Sequence, residues 1–265
     1  SVFLEGATAA SGSDPTVPPE PLPSGTPVPR DPAIGSGSTG DVTPALEVVG
    51  LGRRFGGVVA VADVDLRVEP GEIVCVIGPN GAGKTTLFDL VSGFTPAHTG
   101  VVRLGGRDLT SSPPHVRAAA GLGRSFQDAR LAPGLTVEDN IAVALDRSLG
   151  RWRGSRSLLG ALVFLPAVHD GERHVRARVD ELVELFGLQA FRQKFVRELS
   201  AGSRRIVGLA CIVAHQPSVV LLDEPSSGIA QSETRALVGL LRTVRDRTGA
   251  SILVIDHDMP LVRAV

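Results

Sequence analysis

The chain has 265 residues, 43% of them hydrophobic and 21% charged, with a formal net charge of −1. That length and balance describe a globular protein with a substantial core and exclude a wholly disordered or fibrous chain. Basic residues are dispersed instead of forming a block, which argues against nucleic acid as the main partner.

The two cysteines, Cys75 and Cys211, lie inside apolar runs and read as small buried hydrophobes, a usage that suits a reducing compartment. The six histidines show no metal-ligand spacing, and His169 and His174 read as surface residues. No segment reaches the ~18 uninterrupted apolar residues of a membrane span. The nearest candidate, LLGALVFLPAV from Leu158 to Val168, is short and holds Pro166, so it is expected as a buried or interfacial helix.

In chain order, residues 1–44 come first, with nine of the nineteen prolines and six glycines. Such a segment cannot bury enough apolar surface to offset its ordering entropy and is expected to be a disordered linker. Its first residue is Ser1 and no signal pattern opens it, as in a piece of a longer polypeptide. Folded sequence is expected from Ala45. ALEVVGL and DVDLRVEPGE read as antiparallel edge strands, with a turn at Pro70-Gly71. IVCVI, Ile73 to Ile77, has the continuous apolar character of a strand buried on both faces. KTTLFDLVSG follows as a helix closed by Gly93. The section from about 121 to 214 lacks such runs, and Val175, Val179, Leu182, Val183 and Phe186 mark a helical stripe, so it is expected as a helical insertion. SVVLLDEP and SILVIDHD repeat the buried-strand pattern, with Leu237, Leu240, Leu241 and Val244 at helical spacing between them. Buried strands alternating with helices imply an α/β fold with a parallel sheet.

GPNGAGKTT, Gly78 to Thr86, satisfies the phosphate-loop pattern between a buried strand and a helix. Gly78, Gly81 and Gly83 let the backbone curl so that successive N–H groups converge on phosphate oxygens. The helix start adds unpaired amides and its positive dipole end. Lys84, one of only two lysines, offers a cation to the β- and γ-phosphates, and the Thr85 hydroxyl can ligate Mg²⁺. Asn80, Ala82 and Thr86 complete the expected nucleotide-binding set. Asp223 and Glu224 end the run SVVLL, where parallel sheets place ligands. Asp223 is expected to hold Mg²⁺ through water, and Glu224 to polarise the attacking water.

Together these motifs resemble the ATP-binding-cassette (ABC) transporter ATPases over nearly all of residues 45–265. The resemblance implies a mostly parallel P-loop core flanked by helices, with an antiparallel β edge, binding ATP and Mg²⁺. It implies further that Gln127 in RSFQDARL contacts Mg²⁺ or its water and senses the membrane partner. His257 in VIDHDM matches the switch histidine that contacts the γ-phosphate, and Phe55 the aromatic ring placed against adenine. LSAG, Leu199 to Gly202, falls where the family carries its LSGGQ signature. Ser200 and Gly202 are therefore expected to meet the γ-phosphate held by a second subunit, from an ordinary serine-capped helix start. Three positions depart from the pattern. Ala201 replaces the first glycine, Ser203 stands where glutamine is usual, and Ala230 where Asp or Asn is usual. These leave nucleotide binding intact but bear on hydrolysis and on communication across the dimer.

FGGVVAV, VSGFTPAHTG and GRSFQDARLAPGLTVEDNI are similar to the branched-chain amino acid importer ATPases within that family, although relatives of this group also move urea, amides and other small solutes. The resemblance implies a head-to-tail pair of ATPase subunits, a transmembrane permease contacted near Gln127, an indirect solute-binding partner, and a place on the cytoplasmic face of the cell membrane. Relatives continue past the HDM run with further strands, so a chain ending at Val265 is expected to leave sheet edge unpaired. Residues 1–44 are expected to link the domain to an upstream permease. The rivals are a nucleotide-gated module with negligible hydrolysis, a chromosome- or repair-type ATPase, which would need long heptad arms that are missing here, and a small-molecule P-loop kinase, which leaves LSAG and His257 unexplained together.

Overall fold

The computed structural model describes residues 2–3, 42–125, 131–149, 166–227 and 231–256. An antiparallel hairpin, β2 (Leu46–Phe55) with β3 (Val58–Val68), turns at Gly56-Gly57. The expected turn at Pro70-Gly71 is present too, but it leads out of the hairpin into the next strand. Strands β5 (Thr99–Leu104) and β6 (Arg107–Asp108) complete this sheet in the order β3-β2-β5-β6.

The second sheet holds β1 (Val2–Phe3), β4 (Ile73–Ile77), β7 (Leu122–Arg124), β8 (Val219–Asp223) and β9 (Ser251–Ile255) in the order β1-β4-β9-β8-β7. Every neighbouring pair is parallel. The alternation of side chains in a strand sends successive residues to opposite faces, and here each face meets its own core. Val74, Val76, Leu221, Leu253 and Ile255 pack with the antiparallel sheet and with Leu87 and Phe88 of α1 (Lys84–Ser92). Cys75, Val220, Leu222, Ile252 and Val254 face the other way. They meet residues of α3 (Val137–Leu149), α4 (Pro166–Leu185), α5 (Ala201–Ala214) and α6 (Gln231–Thr248). A fully buried Leu, Val or Phe contributes about 1.5–3 kcal/mol, which explains why continuous apolar runs form these strands.

Two expectations from the sequence change. The section from about 121 is expected to lack strands, yet Leu122–Arg124 pairs with Val219–Leu221 as part of the parallel sheet. Three residues are too few to show periodicity, and the central one is Gly123. A Cβ there would come within 2.8 Å of Ile212, so the missing side chain lets α5 lie close to the strand. Within the expected linker, Val2 and Phe3 pair with Val76 and Ile77, so part of the sheet edge expected to be bare is covered along β4. The rest of that linker, 4–41, falls outside the described residues, as do 150–165, which hold most of the Leu158–Val168 candidate. Among the described residues no helix is long and apolar enough to cross a membrane.

The helical stripe on α4 forms as expected, with Val179, Leu182, Val183 and the adjoining Phe186 buried. Asn140 of α3 fixes the chain just before its own helix. Its side chain accepts from Ala132 N–H (2.8 Å) and donates to the carbonyls of Thr136 (2.8 Å) and Ala132 (3.1 Å). Arg117, on α2 (Pro114–Ala119), is 3% exposed and donates to the Leu90 and Val91 carbonyls at 2.8 and 2.6 Å. It thus bonds carbonyls of the last turn of α1, where Gly93 at φ 79° also donates its N–H to the Leu90 carbonyl.

Candidate functional site

The parallel strands deliver their carboxyl ends to one edge, where Gly78 follows β4, Ser125 follows β7, Asp223 ends β8 and Asp256 follows β9. Gly78 to Gly83 form a loop into α1, with Gly81 at φ 84° and Gly83 at φ 82°. A Cβ on Gly83 would stand 2.0 Å from the Ala60 carbonyl of β3, so glycine is needed for close approach as well as for dihedral freedom. No side chain caps the α1 N-terminus, so its first amides point into the loop. Lys84 is 6% exposed, and its Nζ donates to the Gly78 and Pro79 carbonyls, both at 2.8 Å. The amine spans the loop and leaves one of its three N–H bonds for an anion. Asn80 and Thr85 are exposed, Ala82 is buried, and Thr86 is half-buried.

Asp223 is 8% exposed, and its Oδ1 is buried without a hydrogen-bond partner among the described residues. Its backbone N–H donates to Ser125 Oγ at 3.1 Å. Burial pushes its carboxyl above the ordinary aspartate range; Arg124 opposes that shift while Glu224 and Asp89 reinforce it, and Lys84 opposes it more weakly. Arg124, its side chain 9% exposed, stands 4.0 Å from Asp223 Oδ2 and 2.7 Å from Asp89 Oδ1, and donates to Ser92 Oγ at 2.6 Å. An orphaned carboxylate oxygen next to a phosphate loop fits a hard cation with oxygen ligands. Among the described residues no three of His, Cys, Asp and Glu are grouped so that they could hold a metal ion by themselves.

Glu224 has φ 46°, rare for a non-glycine residue, and its N–H donates to the Ile255 carbonyl at 2.8 Å. Gln127 and His257 lie outside the described residues, as does Ala230. Their neighbours are placed at the site edge. Ser125 N–H donates to the Leu221 carbonyl (2.8 Å), and Asp256, fully buried, accepts from Ser226. Phe55 is 47% exposed at the hairpin tip, with the Arg53 guanidinium 4.8 Å from its ring centre, and lies in the hairpin whose Ala60 meets Gly83.

Ser200 is the N-cap of α5, its Oγ accepting from Ser203 N–H at 3.1 Å and donating to Ser203 Oγ at 3.0 Å. Ala201 is the first helical residue and none of the positive-φ residues, so the absent glycine costs the backbone nothing. Ser200, Ala201 and Gly202 line a large cleft together with Arg124 and Asp223, whereas Lys84 and Thr85 do not line it. Sequence reasoning missed Arg124, Arg205, Ser226 and Asp256. Asp256 alone left a trace, as a carboxylate at the end of an apolar strand.

The profile of the ABC transporter family matches residues 61–227. The chain is 36% identical over 222 residues to the high-affinity branched-chain amino acid transport ATP-binding protein BraF of Pseudomonas aeruginosa, covering 84% of this chain and 85% of that protein. It is 35% identical, over the same shares, to LivG of Escherichia coli, which bears the same description. Among solved structures, the ADP conformation of an ATP-binding cassette of an ABC transporter superposes with a TM-score of 0.68 at 24% identity, covering 84% of this chain and 85% of that one.

Proposed function

The chain belongs to the ABC transporter family as an ATP-binding, ATP-hydrolysing subunit, and from that premise we propose that it powers the uptake of branched-chain amino acids or related small solutes through a permease. One observation carries the site reading: a buried lysine amine, fixed on its own loop carbonyls, stands at the end of β4, two strands from a buried carboxylate with an oxygen unpartnered among the described residues.

The loop amides of Gly78 to Thr86 and Lys84 bind the β- and γ-phosphates, while Asn80, Ala82 and Thr86 shape the loop. Phe55 offers its exposed ring to the base. Thr85, Asp223 and Gln127 would hold Mg²⁺, which neutralises developing phosphate charge when bound. Glu224 orients and deprotonates the attacking water, and His257 meets the γ-phosphate. Ser200 and Gly202, at the serine-capped start of α5, close over the nucleotide of a second subunit in a head-to-tail pair. The pair works at the cytoplasmic face of the membrane, against the permease.

Lys84→Ala is expected to lose binding of a fluorescent ATP analogue. Glu224→Gln is expected to keep that binding and to elute as a dimer with ATP, with turnover reduced at least a hundredfold. Wild-type turnover in Glu224→Gln overturns its assignment as the base. A second reading, a nucleotide-gated module with slow hydrolysis, is favoured by the Ser200–Ser203 hydroxyl pair, which ties up the donor aimed at phosphate. Phosphate release from the wild-type complex decides between the two.

A further inference from the structure

The turn that follows Glu224 is bolted on two sides by residues from two other segments of the chain. Its inner bond runs from Ser227 N–H to the Glu224 carbonyl, 3.1 Å, which closes the turn over Pro225 and Ser226. On one side Asp256, fully buried, accepts from Ser226 N–H at 3.0 Å and from Ser226 Oγ at 2.7 Å, while Ser226 itself is 6% exposed. On the other side Arg205 Nη1 donates to the Pro225 and Ser227 carbonyls, both at 2.8 Å. Arg205 lies on the helix that Ser200 caps, five residues along it, and Asp256 is the residue directly before His257.

We infer that Arg205 and Asp256 are positioning residues for Glu224, and that Arg205 links the phosphate-facing start of α5 to the catalytic carboxylate of its own subunit. The inference rests on the reading of Glu224 as the base. Glu224 sits in a left-handed backbone conformation that non-glycine residues adopt only where their surroundings impose it. Its N–H is anchored on β9 at Ile255, so its side-chain direction depends on how the next three residues fold back. Arg205 and Asp256 hold that fold through the carbonyls of Pro225 and Ser227 and the amide of Ser226. A displacement of the Ser200 end, produced when it meets phosphate on the partner subunit, moves Arg205 with the helix and is felt at Pro225 and Ser227. The coupling runs through charge-assisted hydrogen bonds. A double-mutant cycle measures it.

The test is steady-state ATP hydrolysis by the assembled transporter carrying Arg205→Met, Arg205→Lys, Ser226→Ala or Glu224→Gln, and the double variant Arg205→Met with Glu224→Gln. Arg205→Met and Ser226→Ala are expected to lower kcat tenfold or more while KM for ATP stays within twofold. Arg205→Lys restores most of the rate, since an ammonium can donate to both carbonyls. In the Glu224→Gln background, Arg205→Met adds no further loss, because its effect acts through that carboxylate. Unchanged kcat in Ser226→Ala and Arg205→Met, beside a slow Glu224→Gln, overturns the positioning role and leaves the base reading standing. Additive losses in the double variant, or a KM that rises as kcat falls, also overturn it. A fast Glu224→Gln removes the base reading itself, a distinct outcome. Should Arg205→Met not fold, Ser226→Ala, which deletes one hydroxyl, decides the positioning role by the same two readouts.

Discussion

At the scale of single residues, the site concentrates charge that the fold alone does not favour. Asp223 is a buried carboxylate whose pKa is raised by burial, with Glu224 and Asp89 adding to the shift against Arg124 and Lys84. A raised folded-state pKa contributes stability below the unfolded aspartate value of about 3.9, and that contribution is lost as pH rises through the folded value. At neutral pH the nucleotide-free chain therefore carries a cost that asparagine would avoid. Asp223→Asn is expected to raise the melting temperature at pH 7.5, and the gain should shrink toward pH 4; a gain that grows on acidification contradicts the sign. At this scale the backbone shape of the loop before α1 was legible, because Gly81, Gly83 and Lys84 serve one local conformation. Arg124, Arg205 and Asp256 were not. Arg205 bonds carbonyls about twenty residues away, and Asp256 bonds a serine thirty residues away, so no local spacing encodes either contact.

At the scale of elements, legibility followed length. Strands β4, β8 and β9 were evident because both faces are buried, and α1 because Gly93 ends it. Strand β7 was hidden by its brevity, although Gly123 inside it is what admits α5 to the sheet. Helix α5 shows how one residue can serve structure and chemistry together. Ser200 caps it, and losing such a cap costs about 1 kcal/mol. Aspartate caps equally well but would repel a facing phosphate. Ser200→Asp is accordingly expected to keep the wild-type denaturation midpoint in urea while abolishing ATP-induced dimers on a sizing column. Retained dimers would show that the α5 N-terminus meets no phosphate.

At the scale of the molecule, the antiparallel edge and the helical insertion are read from different signals in the sequence, one from short apolar runs between turns and the other from a 3.6-residue stripe. Between them lies the parallel sheet, in which β4, β8 and β9 give alternate side chains to both cores. A wall one strand thick cannot keep its order when either side is stripped away: exposing Leu222 and Val254 on one face also releases Leu221 and Leu253 on the other. Scanning calorimetry should accordingly register a single endotherm whose van't Hoff and calorimetric enthalpies agree. Softening either lobe by substitution should shift that peak without splitting it.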